Sequence, residues 1–191
     1  MDSGKKSFLW LIAIFVAPIL LGTLLFFNLD RIGIKKGSVN YGTLIQPAFP
    51  AKVIDLKVEN EPAKRNEVLS KKWTMLYIEP DECDQFCQDR LLLMKRIRLL
   101  MNEQMRRVRV ILVANKQTLD SINKKNYHDT TFAHVDVANS DFVTQFPGLE
   151  NKPIYLLDPL GNLMMYYPQL QPNAKKMIKD LQKLLKYSRL G

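Results

Sequence analysis

Thiol and imidazole are scarce in this chain, which has two cysteines and two histidines among 191 residues. A closed zinc site wants four ligands and finds no further cysteine. There is no internal repeat and no low-complexity tract. Lys and Arg outnumber Asp and Glu by 28 to 19, for a formal charge of +9, yet the basic residues are scattered. Without an aromatic-interleaved basic stripe or a finger motif, nucleic acid is not an expected partner. The excess reads as a solvated surface suited to lipid headgroups or an acidic protein face.

Charge is also missing from "FLWLIAIFVAPILLGTLLFFNL", Phe8 to Leu29. At about 1.5 Å per residue, about 22 helical residues cover a hydrocarbon layer of roughly 30 Å. The junction beyond it, "FFNLDRIGIKK", has no small-x-small cleavage site. Residues 1–7 therefore read as a short N-terminal tail and 8–29 as an uncleaved single-pass transmembrane anchor, with Pro18 in its middle. Lys5 and Lys6 face Arg31, Lys35 and Lys36 across it, so charge gives no orientation.

Residues 30–71 are rich in Gly, Pro, Asn and charge, with one alternating run at Val53 to Val58. They read as a linker and an edge strand or hairpin. From residue 72 to 191 the pattern is that of one α/β domain. "WTMLYIE" predicts a strand buried on both faces. A helix then starts near the cysteines, with Leu93, Ile97, Leu100, Met101 and Met105 on one arc. "VRVILVA" predicts a second buried strand, and strand–helix–strand implies a right-handed parallel crossover. Next come a short helix around Leu119 to Asn126, a strand at Ala133 to Val137 and a short helix at Asp141 to Phe146. "IYLLDPLGNLMMYYP" predicts a hairpin with Asp158, Pro159 and Gly161 in a type I turn. The last segment predicts an amphipathic helix with Pro172 near its first turn and Met177, Ile178, Leu181, Leu184 and Leu185 inward. That order is thioredoxin-like.

Both cysteines lie in "YIEPDECDQFCQD" at a strand-to-helix junction. Spaced i and i+4, Cys83 and Cys87 share a helical face within disulfide reach. Three roles are open to them. A passive staple or two core thiols is the plainest, although so short a loop removes little unfolded-state entropy. In a redox pair the helix N-terminus lowers the thiol pKa. The acidic neighbours Glu79, Asp81, Glu82 and Asp84 raise it, and no Lys, Arg or His lies in the immediate loop. A two-thiolate site would suit Cu(I), with His128 and His134 as candidate third ligands.

The anchor, "WTMLYIE", the Cys-x-x-x-Cys, "VRVILV" and "IYLLDPLGNLMMYY" together resemble the Sco/SenC proteins. These are anchored thioredoxin-fold factors that help deliver copper to cytochrome c oxidase. The resemblance spans roughly Lys72 to the C-terminus. It implies a domain facing the periplasm from the bacterial inner membrane, Cys83 and Cys87 as catalytic or metal-holding residues, Cu(I) as a cofactor or cargo, and an oxidase subunit or copper chaperone as partner. The sequence departs from the family pattern in two places. The family's proline after the first cysteine is replaced by Asp84, and its histidine before the "YL" strand falls at Glu150. "NYGTLIQP" resembles small membrane proteins of bacterial oxidase assembly that lack a full copper site. The resemblance to thioredoxin-fold oxidoreductases implies a cis Lys152–Pro153 bond, with Pro153 shaping the substrate site. The expectation is a thiol-exchange or Cu(I)-handling accessory factor, with Cys83 as attacking thiol; the alternative is a docking module with incidental cysteines.

Overall fold

The computed structural model describes residues 3–28, 40–59 and 67–188, in two units, Met1–Val39 and Asn40–Gly191. In the first unit, α1 (Ser3–Asn28) has a mean hydropathy of 2.6 in its most apolar window and is long and apolar enough to cross a membrane. Its side chains are exposed all round, Phe8, Phe15 and Leu21 included, which suits a helix in an apolar medium. Thr23 donates its hydroxyl to the Ile19 carbonyl at 2.7 Å and Asn28 its amide to Leu24 at 2.8 Å, so these polar side chains are satisfied within the helix. Leu29, Arg31, Lys35 and Lys36 lie outside the described residues.

The second unit is built on a seven-stranded sheet. Its strands are β1 (Thr43–Pro50), β2 (Lys57–Val58), β3 (Trp73–Glu79), β4 (Val108–Ala114), β5 (Thr130–His134), β6 (Ile154–Leu157) and β7 (Asn162–Tyr167). They run in the order β1-β7-β6-β3-β4-β5-β2. Strands β3, β4 and β5 are parallel and the remaining pairs antiparallel. The helices are α2 (Gln85–Leu100), α3 (Lys116–Ser121), α4 (Asp141–Thr144) and α5 (Ala174–Tyr187).

Every residue of β3 is buried. Trp73, Met75 and Tyr77 pack with Leu91, Met94 and Ile97 of α2 and with Met177 and Leu181 of α5. Leu76 and Ile78 join Phe142, Phe146 and Tyr155 on the opposite face. The continuous apolar run thus serves two cores, as a central strand requires. In the β6–β7 hairpin, Asp158 Oδ1 accepts the N–H groups of Leu160 and Asn162, and Gly161 at φ 88° turns the chain back. A side chain disfavours that conformation.

Several expectations need correction. The segment read as a linker and an edge strand or hairpin supplies an edge strand on each side of the sheet, β1 against β7 and β2 against β5, where one was expected. Asp180 holds its beginning, accepting the N–H groups of Tyr41 and Gly42 at 3.0–3.1 Å. The buried arc of α2 is Cys87, Leu91, Met94 and Ile97, and Leu100 is exposed. Three successive leucines, 91–93, admit either phase, and the position of Cys87 selects the one observed. Helix α2 ends at Leu100, and residues 102–107 form a 3-10 turn. The strand expected at 133–137 is formed by 130–134.

Candidate functional site

Helix α2 begins between the two cysteines. Asp84 is its N-cap, extended at φ −76°, ψ −170°, and its carboxylate accepts the Cys87 N–H at 3.0 Å. An aspartate there satisfies a donor the helix leaves open. Cys83 and Cys87 form a disulfide across this first turn, their Cα atoms 5.1 Å apart. Cys83 is partly exposed, while Cys87 is fully buried. Of the two residues, Cys83 is the one nearer the surface, and Cys87 lies in the core beneath α2.

The loop carrying Cys83 is pinned from α3. Thr118 donates its hydroxyl to the Asp81 carbonyl at 3.1 Å, and Asn115 donates its amide to Pro80 while accepting the Val137 N–H. A cleft of about 650 Å³ opens beside the loop, lined by Asp81, Glu82, Asp84, Thr118 and Lys152 among others.

Of the four acidic neighbours, Glu79 is set apart. Its side chain is fully buried at the end of β3, accepting the Tyr77 hydroxyl at 2.7 Å and the Asp81 N–H at 3.2 Å. Lys152 Nζ lies 2.7 Å from Glu79 and 3.2 Å from Asp81. Burial pulls against the charged lysine, but its hydrogen bonds and Coulomb attraction to Glu79 and Asp81 prevail and raise its pKa. Burial, reinforced by the bond to Glu79, raises the Tyr77 pKa and keeps the phenol protonated. The cation that the cysteine loop lacks is therefore supplied from the turn before β6, and it pairs with two of the four carboxylates that flank the disulfide.

Lys152 and Pro153 correct a further expectation. The Lys152–Pro153 bond is trans, and buried Pro153 leads into β6. The reversal before β6 is made by left-handed residues, Gly148 at φ 69° and Lys152 at φ 45°, and this turn directs the lysine side chain towards Glu79.

The proposed copper ligands do not converge. His128 precedes β5 at the N-terminal end of the parallel strands, opposite the disulfide, with its Nε2 3.3 Å from Asp129. His134 ends β5, aligned with Ala114 of β4, which is aligned with Glu79. Two strand spacings, about 10 Å, thus separate it from the end of β3. Glu150 is exposed in a 3-10 turn. Among the described residues no group of three His, Cys, Asp or Glu side chains is arranged to hold a metal ion. Two sulfurs among carboxylates and no imidazole fit poorly to a dedicated Cu(I) site.

Sequence reasoning missed Lys152, the pairing of Glu79 with Tyr77, and Arg90. Arg90 is buried on α2 one turn after Cys87. The available signals were an acid ending an otherwise apolar strand and an arginine in phase with the apolar arc.

A central sheet with parallel β3-β4-β5 and antiparallel β6-β7, a closing helix, and a cysteine pair at the first turn of α2 define a thioredoxin-like protein. The chain belongs to the transmembrane-like, thioredoxin-like, C-terminal domain family, whose model matches residues 73–188. No curated protein matches the sequence. Among solved structures, the apo Sco1 protein of Thermus thermophilus is similar at 15% identity and a TM-score of 0.52, covering 78% of this chain and 99% of its own. A DsbF homologue from Corynebacterium diphtheriae is similar at 9% identity and a TM-score of 0.52, covering 78% and 96%. Copper-bound yeast Sco1 is similar at 13% identity and a TM-score of 0.50, covering 80% and 96%. At these identities the likeness is one of fold.

Proposed function

We propose that this protein is a membrane-anchored thiol–disulfide exchange factor acting through Cys83 and Cys87 on a partner polypeptide. Its thioredoxin-like domain faces the periplasm of a bacterial inner membrane, and the partner is a cysteine-bearing subunit or copper chaperone in assembly of a respiratory cytochrome c oxidase. The observation that carries the reading is the asymmetry of the pair: a partly exposed Cys83 joined to a fully buried Cys87 at the first turn of α2.

Starting from the disulfide, a partner thiolate attacks Cys83 Sγ. The bond to Cys87 breaks, and Cys87 leaves as a thiolate at the helix N-terminus. A second partner thiolate then attacks the partner's own sulfur in the mixed disulfide, releasing Cys83. The partner dithiol loses two electrons and two protons, and the Cys83–Cys87 pair gains them. The reverse sequence reduces a partner disulfide, with Cys83 attacking and Cys87 resolving, and relative potentials decide the direction. Lys152 and Glu79 hold the turn before β6 against the cysteine loop, so the surface a partner meets is fixed. Copper enters this account as the partner's cargo.

Exchanging both cysteines for serine in the full chain tests the reading. Loss of oxidase assembly with normal levels of the variant supports it. Unchanged assembly leaves the anchored domain as a docking module.

A further inference from the structure

Arg90 is only 2% exposed. Its guanidinium carbon lies 4.7 Å from the centroid of the Phe86 ring, and Nη2 donates to the Gln169 carbonyl at 2.8 Å. Nε and Nη1 are buried with no partner. Burial pulls the pKa below the usual arginine value, yet an arginine side chain stays protonated in proteins. A buried cation with open donors is costly unless something completes it. Arg90 also lines a groove of about 220 Å³ with Phe86, Asp89, Leu93, Leu170 and Pro172. Leu170, at its rim, is 65% exposed.

The geometry points to this groove as the seat of an extended partner segment whose carboxylate completes Arg90 while its apolar flank covers Phe86, Leu93 and Leu170. The inference rests on the exchange reading, because what places a polypeptide here is a mixed disulfide at Cys83. Arg90 lies seven residues beyond Cys83, about 10 Å at about 1.5 Å per residue. An extended chain covers that in about three residues. The partner's carboxylate therefore sits about three residues from its reacting cysteine, as an acidic side chain or a chain terminus. Asp89, which accepts the Gln85 amide at 2.9 Å, stands at the same rim. It disfavours a second acid beside the first.

The test uses the oxidised full chain in detergent and peptides with serine in place of the reactive cysteine, so that binding is read without exchange. One peptide carries Asp three residues before the serine and another three residues after it, both amidated at the C-terminus. Asn analogues and a peptide ending in a free carboxylate at that spacing complete the set. Calorimetric titration is expected to show at least one carboxylate peptide binding about tenfold or more tighter than its neutral analogue, the scale of a hydrogen bond to a charged group. The difference should vanish in Arg90→Met, persist in part in Arg90→Lys, and shrink in Leu170→Asp, whose exposed position leaves folding intact. Arg90→Met removes a buried charge with two open donors together with its bond to the Gln169 carbonyl, and Arg90→Lys and Leu170→Asp keep the test independent of how that variant folds. Equal binding of Asp and Asn peptides, or a preference that survives Arg90→Met, overturns the inference. Reduction of the disulfide by glutathione without peptide discrimination sinks the groove and spares the exchange reading. Peptide discrimination in a protein whose disulfide exchanges with no thiol does the reverse.

Discussion

Lys152 Nζ lies 2.7 Å from Glu79 Oε1 and 3.2 Å from Asp81 Oδ2, joining positions 73 apart in sequence. The fully buried carboxylate needs that partner. Lys152→Met should cost on the order of 2 kcal/mol, below the usual figure for breaking a buried pair because the lysine is partly exposed. Lys152→Met combined with Glu79→Gln should recover part of the loss. Urea unfolding of the three variants checks both statements.

The same pair, with its neighbours, sets the alkaline limit of stability. Burial raises the pKa of Tyr77, Tyr155 and Tyr167, and the Lys152 pKa is raised by Glu79 and Asp81. Groups whose folded pKa exceeds the unfolded value stabilise fully below the unfolded value, and that contribution is lost as pH rises through the folded one. Stability should therefore hold to about pH 10 and fall above it. Tyrosinate absorbance should appear in two phases, with the phenols of Tyr77, Tyr155 and Tyr167 ionising only on unfolding.

Asp84 both caps α2 and adds charge beside Cys83. Asp84→Ala should cost about 1 kcal/mol through the lost cap. Asp84→Asn keeps the cap and removes the charge, so the reduced Cys83 thiol should be alkylated a few-fold faster near neutral pH. Iodoacetamide kinetics against urea midpoints separate the two effects.

The exposure difference between the cysteines predicts an asymmetric trap. Cys87→Ser leaves Cys83 able to capture a partner with no resolving thiol, so a reductant-sensitive adduct should accumulate in membranes. Cys83→Ser should give little, because Cys87 is buried. Non-reducing electrophoresis reads the result.

The parts of the fold legible in the sequence were those with unbroken local signals. β3 and β4 appear where "WTMLYIE" and "VRVILVA" place them, because a strand buried on both faces writes itself as a continuous apolar run. The Asp158–Gly161 turn and α5 were equally legible. An edge strand was legible in residues 30–71, but the place of β1 was not: it holds two prolines and most of its residues are exposed, so it carries no burial pattern. Its attachment depends on Asp180, which in sequence looks like one more polar residue of an amphipathic helix. At the site, the cysteines announced themselves by spacing. Lys152 did not, because its role depends on a left-handed turn and on the antiparallel pairing of β6 with β3, both long-range facts. Arg90 resembled an ordinary charge on α2 until the helix phase turned it inward.

The central claim is that Cys83 and Cys87 are a working redox couple. The most direct measurement equilibrates the full chain with graded glutathione and dithiothreitol redox buffers, quenches by thiol alkylation, and counts the two thiols by mass. A working couple shows one reversible two-electron transition at a potential typical of exchange proteins, between about −120 and −270 mV, abolished by either serine substitution. A disulfide that stays closed to potentials well below about −300 mV is a structural staple, and that result would contradict the account.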